Sequence, residues 1–268
     1  MEILFGFFFF ILGTAIGSFL NVVIYRYNTG MGVNGRSKCF SCGKTLQWYE
    51  LIPVFSYVFL LGRCSECQSK ISWQYPLVEF LTGLTFLAVY LAYFKQLFIS
   101  TNTILVLLYS LVAASIFIVI LVYDVRHKII PDGLVIMLSI ISLIGLFISA
   151  DLNIVLPAWS ALLAGPILAL PFAALWLLSQ GRWMGLGDAK LALPMGWFLG
   201  LGYGLSAIML AFWIGAAVGV ALIAMEKLLH RGNLSMKSEI PFAPFLIVGF
   251  AIVYFFNINI IHLSTLFQ

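Results

Sequence analysis

Eight stretches of this chain are apolar over lengths close to the roughly 20 residues that a helix needs to cross a bilayer. They run about Ile3–Ile24, Leu77–Tyr93, Ile104–Tyr123, Gly133–Ala150, Val155–Leu178, a short Leu191–Leu199, Leu205–Met225 and Pro244–Ile261. Only 9% of residues are charged, against about 25% in a soluble globular protein. Lipid-exposed backbone must satisfy its own hydrogen bonds, and the runs lack the alternation of a barrel strand. The expected fold is therefore an all-α polytopic membrane protein of about eight transmembrane helices. Leu191 to Met225 is too long for one span, and Gly200, Gly202 and Gly204 offer a break. Seven spans, or a re-entrant sixth, are the alternatives. No cleavable signal peptide is expected, because Met1-Glu2-Ile3 offers no basic n-region.

With eight spans the basic residues separate. Arg26, Arg36, Lys38, Lys44, Arg63, Lys70, Arg126, Lys128, Arg182, Lys190, Lys227, Arg231 and Lys237 fall on one side, and only Lys95 on the other. Positive loops stay in the cytoplasm. Both termini are expected outside, and the long 26–76 loop inside with Asp124, Asp132 and Asp188. Topology accounts for this basic charge, so nucleic-acid binding finds no support.

That loop carries all four cysteines, as Cys39-x-x-Cys42 and Cys64-x-x-Cys67. Two such pairs let four thiolates converge on one Zn²⁺, with no coordination position left open for catalysis. A segment this small has little core of its own, so a structural metal has a use. Structural disulfides do not suit a cytoplasmic loop, and a redox pair is the other alternative. The expected domains are a first helix over 1–26, a four-cysteine zinc-binding loop over 27–75, and a membrane core over 76–268.

Acids at membrane boundaries are costly and tend to be functional. Asp124 ends the third span, where the helix macrodipole opposes it. Asp132 follows Pro131 and fits an N-cap. Asp188 stands in Gly185-Leu186-Gly187-Asp188-Ala189-Lys190, 64 residues after Asp124. The glycines remove side-chain bulk, which would let an extended substrate lie close to the acid. Glu79, just inside the second span, is open to two readings: a substrate-binding acid, or a partner of Arg26 or Arg63. In the first span Gly17 and Ser18 allow close helix approach and Asn21 can bond across it, with Arg26 as an anchor at its end. Two carboxylates on one side of the bilayer make a candidate acid/base pair. A proton-coupled transporter is the rival class, but it calls for acids in mid-span and for internal repeats, and neither is seen.

These motifs together resemble the prepilin leader peptidases, membrane aspartic peptidases of type IV pilus, type II secretion and competence systems. Gly17–Arg26 is similar to the family's GSFLNVVIYR segment, the two CxxC pairs to its cysteine motifs, and Tyr75–Glu79 to its YPLVE segment. Asp124–Asp132 resembles its first aspartate block, Gly185–Leu191 its G-x-G-D-x-K-L block, and Ile240-Pro241-Phe242 the start of its last helix. The resemblance implies Asp124 and Asp188 as catalytic residues, with Gly185, Gly187, Lys190 and Glu79 positioning the substrate. It implies a prepilin or pseudopilin substrate, with a basic leader and an apolar helix, cleaved after a glycine at the inner (cytoplasmic) membrane. It also implies N-methylation of the new N-terminus from S-adenosylmethionine in members with the cysteine loop. After Arg26 the chain reads Tyr27-Asn28-Thr29-Gly30 where the family often has Leu-Pro. That departure bears on methyl transfer, and a peptidase without it is the alternative.

Overall fold

A computed structural model describes residues 2–30, 32, 34–97, 102–148, 155–228 and 241–260. Arg231, Lys237, Ile240 and the span ends at Ala150 and Ile261 lie outside these residues. The same holds for the side chains of Lys95 and Lys227. The described residues form the helices α1 (Glu2–Arg26), α2 (Phe55–Phe59), α3 (Gln74–Leu97), α4 (Asn102–His127), α5 (Asp132–Leu146), α6 (Trp159–Ser179), α7 (Leu186–Leu228) and α8 (Ala243–Phe256), and a 3-10 turn at Trp48–Leu51. Five of them, α1, α3, α4, α6 and α7, are long and apolar enough to cross a membrane, while α5 and α8 are apolar but shorter. The all-α membrane fold expected from the apolar runs is what forms.

The chain divides into two compact units, Met1–Val122 and Tyr123–Gln268. In the first, α1 packs on α3 through small residues. A Cβ on Gly13 would lie 2.7 Å from the Thr82 carbonyl oxygen, and one on Gly17 2.7 Å from Glu79 Cα. Gly83 answers from α3, against Thr14 and Phe10. Close backbone approach of this kind replaces the hydrophobic drive that lipid removes. The Asn21 amide donates to the Tyr75 carbonyl at 3.1 Å, the cross-helix bond expected of it. Arg26 does more than anchor the helix: its guanidinium donates to the Gly32 and Asn34 carbonyls at 2.9 and 3.0 Å.

In the second unit α6 and α7 make an equally close contact, where a Cβ on Gly196 would meet the Ala164 oxygen and Gly165 Cα at 2.7 Å. Pro166 lies inside α6 and cannot donate to the Leu162 carbonyl four residues earlier. The Trp197 indole of α7 fills that vacancy, donating to Leu162 O at 2.9 Å. Gly200 adopts φ 74°, ψ 176° inside α7, a backbone that only glycine takes readily. The expected break between the sixth and seventh apolar runs is therefore a single glycine, and two helical segments meet there without a loop.

Candidate active site

Asp124 and Asp188 both lie in the second unit, and both are buried, with 4% and 8% of their surface exposed. Asp124 sits on the last turn of α4, a turn closed by Lys128 N–H bonding to the Asp124 carbonyl at 2.7 Å. A carboxylate at a helix C-terminus is electrostatically unfavourable on its own. The unit compensates with two helix N-termini. The N–H of Ala243, the first residue of α8, faces the Asp124 carboxylate. Asp188 stands in the first turn of α7, with the Gly185 backbone N–H beside its own carboxylate. The two acids are close enough for each charge to act on the other. Asp124 Oδ2 is buried without a hydrogen-bond partner. An orphan acceptor of this kind is expensive, and a water or substrate atom with a proton to give would satisfy it.

The glycines flanking Asp188 divide in role. A Cβ on Gly187 would lie 2.9 Å from Ile130 Cβ. Its missing side chain thus lets the start of α7 seat against the loop that follows Asp124. Gly185 has nothing closer than 3.9 Å, the nearest atom being Asp188 Oδ2, and leaves space over the acid. Asp132 does not cap α5. Pro131 occupies the cap position and no side chain bonds there. Being the first residue of the helix proper, Asp132 points its carboxylate outward and accepts from Lys190 Nζ at 2.8 Å, with both side chains well exposed. Lys190 thereby ties the start of α5 to the start of α7.

Glu79 belongs to the first unit, where it is buried. It accepts from the Val54 N–H at 2.7 Å and from the Ser18 hydroxyl, so its partners are a backbone amide and a hydroxyl, and neither Arg26 nor Arg63. Val54 is held at φ 63°, a conformation costly for a β-branched residue.

The four cysteines converge. Their sulfurs all lie within 4.8 Å of one another, and Cys39 and Cys67 Sγ are 3.8 Å apart. A tetrahedral zinc with bonds of about 2.3 Å spaces its sulfurs by about 3.8 Å, so the donor set fits the metal. All four are free thiols. Each pair sits in the same knuckle: Cys39 N–H bonds Lys44 O and Gly43 N–H bonds Cys39 O, while Cys64 N–H bonds Ser69 O and Gln68 N–H bonds Cys64 O. The turn residues Gly43 and Gln68 take φ 73° and 57°. The backbone N–H groups of Cys42 and Ser41 lower the Cys39 thiol to about 6. Cys42 is pushed up to about 12, because desolvation and its sulfur neighbours outweigh the Lys44 N–H that lowers it. One thiolate forms readily and a second beside it does not, a conflict that a divalent cation removes. Beneath the knuckles Glu50 accepts from Lys44 at 3.1 Å, from Gln47 N–H at 2.8 Å and from Ser65.

Comparison with known proteins bears on what this arrangement is for. The type IV leader peptidase family model matches residues 111–220, and that of the bacterial peptidase A24 N-terminal domain matches residues 11–93. A prepilin leader peptidase/N-methyltransferase of Stutzerimonas stutzeri is 31% identical over 221 residues, covering 69% of this chain and 70% of that relative. The chain belongs to the type IV leader peptidase family. A relative of the same name from Bacillus subtilis is 29% identical over 253 residues, 94% of each chain. One from Myxococcus xanthus is 52% identical over 86 residues, which is 32% of this chain and 26% of that relative. No solved structure matches the chain.

The boundary between the two family models falls between 93 and 111. The cysteines therefore lie under the A24 N-terminal model, and Asp124 and Asp188 under the leader peptidase model. Three groups escaped the reading of the sequence. The Ala243 N–H, the Ile130 side chain and the Val54 N–H each act through backbone or apolar contact, which leaves no charged or motif signature. The two prolines around Ala243, Pro241 and Pro244, were the available sign of a helix start, but not of what that start faces.

Proposed function

We propose that Asp124 and Asp188 are the catalytic pair of a membrane aspartic endopeptidase that removes the leader from type IV prepilins or pseudopilins. The observation that carries this reading is the meeting of two buried carboxylates, one of them with an unsatisfied oxygen. Two buried carboxylates whose charges act on one another are disfavoured from ionising together, and in this reading they share one proton. The ionised member takes a proton from water as the water attacks the scissile carbonyl. The protonated member polarises that carbonyl oxygen, and a proton then passes to the leaving amine. The pair titrates as a unit, so the base is not assigned to one residue. Gly185 leaves room for an extended substrate backbone beside Asp188, and Gly187 seats the helix that carries the acid.

In this reading residues 76–268 form the membrane core, and the 27–75 loop is stapled by one structural Zn²⁺ on Cys39, Cys42, Cys64 and Cys67. The thirteen-to-one split of basic residues supports a cytoplasmic active face with eight crossings in the inner membrane. The relatives' names support N-methylation of the cleaved product, which implies S-adenosylmethionine as donor.

The test is a cleavage assay on the detergent-solubilised chain. The substrate is a peptide with a basic leader, a glycine and an apolar helix. Mass spectrometry should show scission after the glycine, and an added methyl group when the donor is supplied. An intact peptide in the presence of folded, zinc-loaded protein would refute the peptidase reading. Scission with an unmodified N-terminus would leave a peptidase alone.

A further inference from the structure

Between the two cysteine knuckles, Leu51 to Gly62 contains no charged residue. It is apolar, yet in the structure it is turned outward. Phe55, Val58, Phe59 and Leu61 are 64%, 61%, 82% and 85% exposed. Phe55, Val58 and Phe59 share one face of the single turn of α2, by i, i+3, i+4 spacing. The other side is held down: Tyr57 bonds toward the Ile71 carbonyl and its ring lies 5.5 Å from that of Trp73. A contiguous apolar patch on a small segment needs a covering partner.

The position of this patch says what the partner is. Val54 N–H is bonded to Glu79 at 2.7 Å, and Glu79 is the sixth residue of α3 (Gln74–Leu97), a helix apolar enough to cross a bilayer. At 1.5 Å per residue, Glu79 lies about 7.5 Å along the span from Gln74. Segments that rest in the headgroup and acyl boundary bury their apolar face about 5–10 Å. The start of the span is marked by aromatic side chains at the helix ends, Trp73 exposed and Tyr75 stacked on Tyr25 at 5.0 Å, the belt that flanks membrane helices. Beyond the apolar stretch stand the exposed cations Arg63 and Lys70, together with Arg36 and Lys38 nearer the first knuckle. Their charge complements anionic lipid headgroups.

We propose that residues 51–61 lie in the bilayer's interfacial layer, with Phe55, Val58, Phe59 and Leu61 among the lipid, so that the cysteine segment is a membrane-seated platform fixed by Glu79. The buried Glu79 carboxylate and the positive-φ turn at Val54 then have one purpose: they hold an uncharged loop at the depth of the first turns of α3. This proposal stands apart from the peptidase reading, since it rests on the membrane fold and on contacts within the first unit.

An environment-sensitive fluorescent amino acid placed at Phe59 in the full chain, reconstituted in vesicles of phosphatidylglycerol and phosphatidylethanolamine, tests it. A second probe at the exposed Glu66, in the knuckle of Cys64 and Cys67, is the reference. The Phe59 probe should emit at shorter wavelength than the Glu66 probe. It should also be quenched severalfold more by shallow spin-labelled lipids and severalfold less by aqueous iodide. One metal ion per chain, with the four thiols protected from alkylation, confirms that each labelled protein is folded. Equal iodide quenching at the two sites would overturn the proposal. So would a Phe59 probe that is wet in vesicles alone and shielded only when a prepilin-like peptide is added, or only at high protein density, because the patch would then be a docking face for substrate or for a second copy. In a Glu79→Gln variant the carboxylate acceptor is weakened, and the Phe59 probe should shift toward water while the Glu66 probe stays unchanged. An unmoved Phe59 probe would remove Glu79 from the proposal.

Discussion

The cysteine cluster and the carboxylate pair are both gatherings of acidic groups, but they are assembled in opposite ways. Each cysteine knuckle is a local object. Its thiols are three residues apart, and its backbone bonds close within six residues, from Cys39 to Lys44 and from Cys64 to Ser69. The carboxylate pair is wholly tertiary, drawn from the end of α4 and the start of α7, with the start of α8 behind it. In the proposed reading the cysteine segment depends for cohesion on the metal its thiols would hold. The membrane unit is held by helix packing around Gly165, Gly196 and Gly249, and it bears its buried acids at a cost. Removing the acids should therefore abolish chemistry and spare the fold, while removing the thiols should do the reverse.

The largest expected effect is on cleavage. Asp124→Asn and Asp188→Asn should each lower the rate by about three orders of magnitude or more, and the double variant should be hardly worse, since groups that act as a unit are strongly non-additive. Thermal unfolding in detergent should stay level or rise, because Asn removes a buried charge and keeps the volume. Near-normal cleavage by either variant would break the comparison at its centre.

The cysteine segment supplies the converse. Cys64 is the buried member of the set, and Cys64→Ser should release the metal and open residues 39–70 to protease while far-ultraviolet dichroism holds. Without metal the thiols should separate by pH. Cys39 is lowered from 9.0 to about 6 and Cys42 raised to about 12. A lowered folded pKa contributes stability above the unfolded value near 9, and that contribution is lost as pH falls through about 6. In briefly chelated protein whose knuckles are still closed, Cys39 should thus alkylate at lower pH than Cys42. Mass spectrometry of the labelled peptides reads both. A Cys42 that labels as fast as Cys39 would contradict this order.

Local and tertiary assembly also explain what could be read in advance. The helical membrane fold was legible because apolar length is written residue by residue, and the thiol set because CxxC spacing implies its own geometry. The break at Gly200 was legible as a glycine cluster, though not as a kink without a loop. Asp124 stood out because an acid at a helix end must be compensated, but the compensating group, an amide of α8 more than a hundred residues later, has no signature in a single sequence. Asp132 was misread as a cap because Pro-Asp-Gly reads locally as a helix start, while the charge that claims Asp132 arrives from Lys190.

Gly187 tests whether the carboxylate site tolerates adjustment. Its Cβ would meet Ile130 Cβ at 2.9 Å, so Gly187→Ala should cost about 1–3 kcal/mol by overpacking and lower cleavage by moving Asp188. Ile130→Ala in the same chain should restore part of both. Gly185→Ala meets nothing within 3.9 Å and should leave stability intact, so any loss of cleavage there reports on substrate space. A Gly187→Ala protein with full stability and rate would show that the α7 start is not tightly seated.

The smallest effect belongs to Asp132, and it separates a surface acid from the buried pair. Its partner Lys190 lies at 2.8 Å, but the two side chains are 64% and 41% exposed. Water screens such a pair, and exposed ion pairs contribute at most about 1 kcal/mol. Asn at the first turn keeps the shape and loses only the charge. Asp132→Asn should therefore change the melting temperature by a degree or two and keep most of the cleavage rate, with a stronger dependence on salt in the parent than in the variant. Lys190→Gln should behave alike, and the double variant should be no worse than either, as expected when both changes remove one interaction. Should Asp132→Asn instead lose cleavage as completely as Asp188→Asn, while Asp124→Asn retains it, the working acid of the first block would be the exposed one. Burial would then no longer be the mark of the reacting pair.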